Sequence, residues 1–203
     1  MKVVRFINSI FSSNSYIICF EESEYVYVID PGDVQPIIDW TIQHKKLVKS
    51  IFITHSHFDH IYGINDLQEK FSSINVYTSL YAKEGMMSEK LNGSLYMEIP
   101  FIIKRQDTVI VKERDVIPLW NGITLDVFET PGHDRDCLSF QIQNNLFTGD
   151  AYIPGLKVHT KSKYSDKTKA EESVKRIFEE FGKDTMIWPG HKESSFLLDL
   201  DLI

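Results

Sequence analysis

Short apolar runs alternate with polar, turn-forming segments along most of the chain. Runs rich in β-branched and aromatic residues, bounded by turn residues, are typical of strands. They predict strands at Val3–Ile7, Tyr16–Phe20, Tyr25–Ile29, Ser50–Thr54, Asn75–Thr78, Thr108–Lys112, Ile123–Glu129, Leu138–Gln143, Leu146–Thr148 and Thr185–Trp188. Apolar residues at helical spacing predict helices at Pro36–Leu47, Ile61–Phe71, Ser79–Asn92 and Lys167–Phe181. Between them, Gly93–Gln106 is predicted to be irregular.

The order of these elements indicates a layered α/β fold. Strands alternate with helices through the first half, and the second half is a run of strands followed by a helix and a strand. Two strand-rich halves, each ending in a helix and a strand, favour a sheet-on-sheet core with the helices outside. The chain has 203 residues, 42% of them hydrophobic, so we predict a single domain spanning residues 1–203.

Charge and cysteine content narrow the class of protein. The chain carries 22 Lys and Arg against 29 Asp and Glu, and the resulting charge of −7 argues against a nucleic-acid binder. Cys19 and Cys137 are too few for a disulfide framework, and Cys137 is predicted to be a buried small hydrophobe rather than a nucleophile. No apolar run has the length of a signal peptide or a membrane span. We therefore expect a cytoplasmic protein with no membrane partner.

The strongest chemical signal is the segment Thr54-His55-Ser56-His57-Phe58-Asp59-His60, directly after a predicted buried strand. Three histidines and a carboxylate fall within six positions, although the chain has only seven histidines. Imidazole and carboxylate groups are ligands that zinc, iron and manganese accept. A polar loop that happens to be rich in histidine is the alternative, but clustered histidines repel one another once protonated.

Three later segments share one pattern, a short strand followed by a tight turn and a residue able to bind a metal. They are Thr130-Pro131-Gly132-His133, Phe147-Thr148-Gly149-Asp150 and Trp188-Pro189-Gly190-His191. Each alone is an ordinary turn, but strand ends on one edge of a sheet can face one cleft. Five of the seven histidines then belong to one set, and His44 and His159 are predicted to be ordinary surface residues.

In this order, the motifs resemble those of metallo-β-lactamase-fold hydrolases, most closely the glyoxalase II (hydroxyacylglutathione hydrolase) branch. Asp30-Pro31-Gly32 after an early strand, preceded by Asn14 and Tyr16, adds to the resemblance, which runs from about residue 14 to residue 191. The resemblance implies a four-layer αββα sandwich of two packed mixed β-sheets with outer helices.

The resemblance also implies two metal sites that share a carboxylate. The implied ligands are His55, His57 and His133 at the first site, Asp59, His60 and His191 at the second, and Asp150 bridging the two. Two zinc ions are expected, with iron or manganese as alternatives. Because a zinc-bound water has a pKa of about 7, hydroxide is available at neutral pH, and Asp59 is the candidate to orient it and transfer its proton.

The expected reaction is attack of this hydroxide on the carbonyl of a thioester, ester or lactone. The expected partner is a small-molecule substrate, and a positive metal site does not exclude an anionic one. A persulfide dioxygenase with one iron is the main alternative, and a phosphodiesterase or nuclease of the same fold is a lesser one. A scaffold without chemistry would be expected to have lost ligands, whereas all seven are present. The oligomeric state is open, with a dimer as one option.

The substrate side of the resemblance is less complete. Glyoxalase II carries a C-terminal helical extension whose basic residues grip glutathione, whereas twelve residues follow His191 here, and Ser194–Ile203 contains no Arg or Lys. A shorter substrate, or a glutathione site built elsewhere, is therefore expected. In the loop after Asp150, Tyr152 is a candidate to reach an oxyanion and Lys157 to attract an anion. The alternative is a mobile, solvated loop.

Two further groups have two interpretations each. Asp134-Arg135-Asp136, beside His133, either supports that ligand or forms a solvated turn, and the solvated turn is favoured. The second group consists of methionine and aromatic residues that either wall a substrate pocket or pack the core under the outer helices, with core packing favoured. Its members are Met86, Met87, Tyr96, Met97 and Phe101.

Overall fold

The computed structural model describes residues 1–105 and 107–197 and divides into two units, residues 1–110 and 111–203. Each unit contains one six-stranded mixed sheet with helices. The predicted fold class, an α/β fold with two mixed sheets, is therefore confirmed. That the two units make one domain stays a prediction.

In the first unit, an antiparallel hairpin leads into a parallel sheet. The strands are β1 (Lys2–Ile7), β2 (Asn14–Cys19), β3 (Tyr25–Ile29), β4 (Leu47–Phe52), β5 (Asn75–Thr78) and β6 (Thr108–Ile110), in that spatial order. The β1–β2 and β2–β3 pairs are antiparallel, whereas β3 through β6 run parallel. The helices are α1 (Val34–His44), α2 (Ile64–Lys70) and α3 (Leu80–Met86).

Burial explains why this sheet positions a site. Ile17, Val28 and Ile51 on adjacent strands are fully buried in one cluster with Ile37 of α1 and Leu67 of α2. Strands covered in this way are rich in Val and Ile without strict alternation. The carboxyl ends of the parallel strands β3 and β4 lie at one edge of the sheet, so the residues that follow them are neighbours.

In the second unit, the sheet is mostly antiparallel. Its strands are β7 (Val116–Trp120), β8 (Ile123–Glu129), β9 (Leu138–Ile142), β10 (Asn145–Gly149), β11 (Met186–Pro189) and β12 (Ser195–Phe196), in the spatial order β12-β11-β10-β9-β8-β7. Among the described strands of this unit, β10 and β11 form the parallel pair. Helix α4 (Lys167–Glu180) buries Val174 and Ile177 against Leu146 and Ile187 of the sheet.

The bounds differ from prediction where tertiary contacts override local sequence. The strands at Tyr25–Ile29, Asn75–Thr78 and Ile123–Glu129 have the predicted bounds. Helix α3 ends at Met86 rather than Asn92, and Asn92 is fully buried with its carbonyl accepting a hydrogen bond from the Phe58 N–H (2.8 Å). Strand β7 was not predicted, since it contains Pro118, which an edge strand tolerates.

The irregular segment predicted from Gly93 contains a short 3₁₀ turn at Ser94–Tyr96, and Gln106 at its end lies outside the described residues, as do residues 198–203. Among the helices that the structure describes, none combines the length and apolar character needed to cross a bilayer.

Candidate metal centre

The histidine-rich segment of the first unit forms one tight turn after β4. Residues 58–60 make a single 3₁₀ turn, which folds the chain back on itself. As a result, the ring centroid of His55 lies 4.8 Å from that of His57 and 4.4 Å from that of His60. His55, Asp59 and His60 are buried, and His57 is half-buried. The turn thus gathers three imidazoles and a carboxylate in a volume that water scarcely reaches.

A buried carboxylate supports this turn through hydrogen bonds. Asp30, which follows β3, accepts hydrogen bonds from the Thr54 N–H (2.8 Å, to Oδ1) and the Thr54 hydroxyl (2.6 Å, to Oδ2). The Thr54 hydroxyl gives its only hydrogen to Asp30, so its oxygen accepts from Nδ1–H of His55 at 3.0 Å. This Asp30–Thr54–His55 chain fixes the tautomer of His55 and puts the lone pair of the ring on Nε2.

His60 is oriented by the same carboxylate. Its Nδ1 lies 3.3 Å from Asp30 Oδ2, and its Nε2 lies 3.3 Å from Asp59 Oδ2. Asp30 itself has a positive φ of 48°, which an aspartate tolerates and which the hydrogen bond from Ser15 Oγ to its carbonyl (2.7 Å) supports. In the sequence, Asp30 is marked only by the family resemblance. Its position after a strand and before Pro-Gly was the signal that could have identified its supporting role.

Hydrogen bonds to main-chain carbonyl groups and one ring contact also support the turn. The Ser13 hydroxyl donates to the carbonyl of Asp59 (2.7 Å), and the Phe58 N–H donates to the carbonyl of Asn92 (2.8 Å). The ring of Phe11 packs edge-on against that of Phe58, with 5.3 Å between centroids. Asp59 therefore sits on a backbone that is fixed on both sides.

In the second unit, three separate strand ends supply a second set of ligand-type residues. His133 follows β8, Asp150 follows β10 and His191 follows β11. The carboxylate of Asp150 lies between the two histidines: its Oδ2 is 3.5 Å from His133 Nε2, and its Oδ1 is 3.5 Å from His191 Nε2. One oxygen near each histidine suits a carboxylate that would contribute to the binding of two metal ions.

Two hydrogen bonds position His133. Its Nδ1 donates to the carbonyl of His159 at 3.0 Å, which leaves the lone pair on Nε2, and its own carbonyl accepts from the Ser165 hydroxyl at 2.7 Å. His159 is exposed, as predicted, but its carbonyl has this orienting role, which a side-chain pattern could not reveal. His44 is exposed at the end of α1 and stacks on Trp40.

The turn that carries His133 packs tightly on α4. A Cβ on Gly132 would lie 2.3 Å from the main chain of Ala170, and Gly132 has a φ of +138°, so both space and conformation require glycine. The Ser173 hydroxyl donates to the carbonyl of Pro131 (2.7 Å), and the Asp166 N–H donates to the carbonyl of Gly132 (2.9 Å). Helix α4 therefore positions this ligand.

Both sets fit a metal ion with nitrogen and oxygen ligands. Their N···O separations of 3.3 and 3.5 Å exceed the usual hydrogen-bond range of about 2.7–3.2 Å. Two ligand atoms about 2.1 Å from a tetrahedral metal lie about 3.4 Å apart. In the first unit, Asp30, His55 and His60 also offer ligand atoms within 4.8 Å of one another. Because both oxygens of Asp30 bind Thr54, we assign Asp30 a supporting role.

The residues beside His133 correct one prediction. The solvated turn favoured for residues 134–136 is wrong, because Asp134 and Asp136 are buried and Arg135 stacks its guanidinium over the Tyr164 ring at 4.2 Å. Cys137 is buried as predicted, and burial raises the pKa of its thiol well above the ordinary value. A neutral, enclosed thiol is a packing residue.

The predicted substrate residues have mixed environments. Tyr152 is buried in the cluster under α4, with its ring against Phe178 (5.5 Å between centroids), while Lys157 is exposed. Contact of either residue with a substrate stays a prediction. Among the methionine and aromatic residues, Met86 and Phe101 pack in the core of the first unit as favoured, whereas Tyr96 is 80% exposed.

Fold, turn geometry and ligand types together define a class, and a family model confirms it. The model of the metallo-beta-lactamase superfamily matches residues 9–191, so the chain belongs to that superfamily. The predicted family is thereby confirmed, and the histidine and aspartate clusters described above are its candidate metal-binding groups.

Individual relatives refine this placement. The chain is 29% identical over 160 residues to hydroxyacylglutathione hydrolase 1 of Vibrio vulnificus (strain YJ016), covering 79% of this chain and 56% of that protein. It is 34% identical over 130 residues to the hydroxyacylglutathione hydrolase of Shewanella pealeana (strain ATCC 700345 / ANG-SQ1), covering 64% of this chain and 42% of that protein. The chain thus spans about half the length of the curated relatives it matches.

Solved structures share the fold. The BLEG-1 B3 metallo-beta-lactamase matches with a TM-score of 0.88 and 24% identity, over 97% of this chain and 94% of that one. ETHE1 from Myxococcus xanthus matches with a TM-score of 0.78 and 21% identity, over 98% of this chain and 81% of that one. TTHA1623 in a di-iron-bound form matches with a TM-score of 0.81 and 21% identity, over 96% and 94%.

Proposed function

We propose that this protein is a metal-dependent hydrolase that cleaves a thioester, ester or lactone. The observation that carries the proposal is the Asp150 carboxylate, which presents one oxygen to Nε2 of His133 and the other to Nε2 of His191 at 3.5 Å each. Similarity to hydroxyacylglutathione hydrolases supports an acyl substrate. Because the chain spans only about half the length of those relatives, glutathione itself is not part of the proposal.

The proposed ligands are those that the family resemblance assigns. One metal would be held by His55, His57 and His133, a second by Asp59, His60 and His191, with Asp150 between them. Two zinc ions are proposed, and iron or manganese would suit the same nitrogen and oxygen donors. Bound dications supply an acidified water and polarise the scissile carbonyl.

The side chains of this chain would prepare and direct that chemistry. Asp59, on its fixed backbone, accepts and passes on a proton at its carboxylate, and its neighbour His60 is oriented by Asp30. The Asp30–Thr54–His55 chain and the His159 carbonyl present Nε2 of His55 and His133 as ligand atoms without further rearrangement. Such preorganisation reduces the cost of ordering the site when a metal or substrate binds.

Two substitutions test the proposal. Asp59→Ala and His133→Ala are each expected to abolish hydrolysis of fluorogenic thioesters and lactones and to remove at least one equivalent of metal, measured on the same sample. His44→Ala is the matched control, because His44 is an exposed histidine at the end of α1. Near-normal turnover or full metal content in either test variant would contradict the site.

A second candidate function is a mononuclear-iron persulfide dioxygenase. We retain this dioxygenase as a candidate because the chain shares its fold with ETHE1 from Myxococcus xanthus. Metal analysis separates the two candidates, since one iron per chain together with oxygen consumption would replace the hydrolase proposal. Phosphodiesters, assayed beside the thioesters and lactones, test the phosphodiesterase alternative.

The proposal also covers the substrate, the partners and the cellular location of the protein. We propose a small-molecule substrate, with Lys157 attracting an anionic one, and neither nucleic acid nor a membrane as partner; a dimer is one option for the oligomeric state. We also propose a cytoplasmic location, supported by two buried cysteines, Cys19 and Cys137, that are both free thiols.

A further inference from the structure

A cavity of about 560 Å³ in the second unit is lined by α4 and by the loop that follows Asp150. Its volume lies within the roughly 300–1,000 Å³ typical of sites for small organic ligands, which are mostly apolar with a few polar groups. The apolar lining residues are Tyr152, Leu156, Val158, Ala170 and Val174. The polar lining residues are Lys157, Thr160, Lys167, Glu171 and Lys175.

The charges in the lining favour a ligand with one negative charge. Two of its three lysines have carboxylate neighbours on α4: Lys167 lies 3.7 Å from Glu171, and Lys175 lies 3.6 Å from Glu179. Within residues 1–105 and 107–197, the ammonium of Lys157 has no hydrogen bond or ion pair. The cavity therefore has one cation whose charge is not balanced by a neighbouring carboxylate.

The loop holds this cation next to an apolar surface. The Thr148 hydroxyl donates to the carbonyl of Tyr152 (2.7 Å), and the Leu156 N–H donates to the carbonyl of Ile153 (3.0 Å). Gly155, with a φ of +74°, permits this turn, and Leu156 and Lys157, which follow it, both line the cavity. Leu156 is 45% exposed, so an apolar side chain that solvent reaches precedes Lys157 in the chain. An amphiphilic ligand suits a surface that offers both an apolar group and a positive charge.

We propose that this cavity binds an amphiphilic monoanion, a medium-chain carboxylate whose tail contacts Leu156, Val158 and Val174 and whose head pairs with Lys157. None of the proposed metal ligands lines the cavity, so binding there does not depend on the metal centre. Lys157, proposed above to attract an anionic substrate, belongs to both proposals, and the tests therefore measure binding in the cavity rather than turnover.

Calorimetric titration of the purified, metal-loaded protein with hexanoate, octanoate and decanoate tests the proposal. The affinity is expected to rise about fourfold for each added methylene until the cavity is full. Decanol, which lacks the charge, is expected to bind more weakly than decanoate. Methyl resonances of Leu156, Val158 and Val174 are expected to shift on binding. Equal affinity across the series, equal binding of decanol, or shifts confined to other methyl groups would overturn the proposal.

Exposed residues provide the variants, so the fold is expected to survive and circular dichroism verifies it. Lys157→Glu is expected to weaken decanoate binding by about tenfold or more, because it replaces a charge-assisted contact with repulsion. Lys161→Glu is the matched control, an exposed lysine of the same loop that does not line the cavity. Leu156→Asp tests the apolar wall.

Equal weakening by the control would show long-range electrostatics alone and overturn the proposal, as would unchanged binding in Leu156→Asp. These readouts do not involve turnover. Loss of the cavity proposal would leave the hydrolase proposal intact, and the reverse also holds.

Discussion

The candidate ligands of the first unit come from one turn, residues 55–60, whereas those of the second unit come from the ends of three strands, β8, β10 and β11. In the first unit, side chains orient the histidine rings, because Asp30 and Thr54 form a hydrogen-bond chain to His55. In the second unit, the main-chain carbonyl of His159 orients the His133 ring, and the packing of α4 against Gly132 positions the turn.

This difference indicates how each set can be damaged. Loss of a polar side chain should impair the first set, because its orientation depends on hydrogen bonds that Asp30 and Thr54 accept. The second set should respond most strongly to added bulk, since a close helix contact positions it. Four substitutions test the contrast, from the largest expected effect to the smallest.

Gly132→Ala should have the largest effect. The new methyl group would meet the main chain of Ala170 at 2.3 Å while the residue keeps a φ of +138°, so we expect the free energy of unfolding to fall by about 2–4 kcal/mol. Chemical denaturation measures this change. Gly122→Ala is the control, since Gly122 has a φ of +78° but no atom within 4 Å of its added Cβ, and about 1 kcal/mol is expected. Equal losses would show that helix packing does not set the His133 turn.

Asp30→Asn should impair the first set while the fold persists. Replacing the carboxylate that faces Thr54 and His60 is expected to weaken metal binding by about 10–100-fold, measured by competition with a chelator. Asp33→Asn is the matched control from the same turn. Hydrogen bonds from Tyr62 and Ser9 outweigh the effect of burial and lower the pKa of Asp33, but none of these groups belongs to the metal turn. Equal metal affinity in both variants would contradict the assigned support.

Thr54→Val isolates one link of that support. The valine keeps the shape of threonine but cannot connect Asp30 to Nδ1 of His55, so about a tenfold loss of metal affinity is expected. Thr54→Ser keeps the hydroxyl and should restore affinity. If serine and valine behave alike, packing at this position and not the hydrogen-bond chain is what matters.

Arg176→Ala should have the smallest effect, on stability alone. Arg176 of α4 binds both carboxylate oxygens of Glu113, the carboxylate of Glu180 and the carbonyl of Glu129, and it lies over the Phe128 ring. Because the network is partly exposed, we expect a loss of about 1 kcal/mol. Lys175→Ala, which removes an exposed pair with Glu179, should cost less than about 0.5 kcal/mol.

The same network predicts an acid dependence of stability. Burial alone would raise the pKa of Glu113, but hydrogen bonds, chiefly from Arg176, more than offset burial, so this pKa lies below its ordinary value. A hydrogen bond from Arg176 also lowers the pKa of Glu180. A lowered folded-state pKa adds stability above the ordinary glutamate value of about 4.3, and this stability is lost as the pH falls through the folded-state pKa. Thermal unfolding of Arg176→Ala should therefore vary less with pH in acid than that of the parent. Parallel pH profiles would contradict this role.

The sequence predicted the features that are determined by consecutive residues along the chain. The strand Ile123–Glu129 has its predicted bounds, because runs of β-branched residues between turn residues need no distant partner to be recognised. The ligand types of the turn at residues 55–60 were readable for the same reason, since they are consecutive. Strand β7 was missed because Pro118 is tolerated only at a sheet edge, and an edge is a property of the assembled sheet.

Supporting contacts between distant positions required the tertiary structure. Asp30 and Thr54 are separated by 24 residues and meet because β3 and β4 pair in parallel. The carbonyl of His159 orients His133 across 26 residues, and a carbonyl is present at every residue, so no residue type marks it.

By itself, the sequence determined the class of this protein: its α/β alternation, its ligand types and their order along the chain specify the superfamily. Only the tertiary structure decided which nitrogen each oriented histidine presents, which carboxylate supports rather than ligates, and that residues 134–136 are covered rather than solvated. The physical reason is that hydrogen-bond direction and burial depend on neighbours in space. Strand pairing and helix packing choose those neighbours from distant parts of the chain.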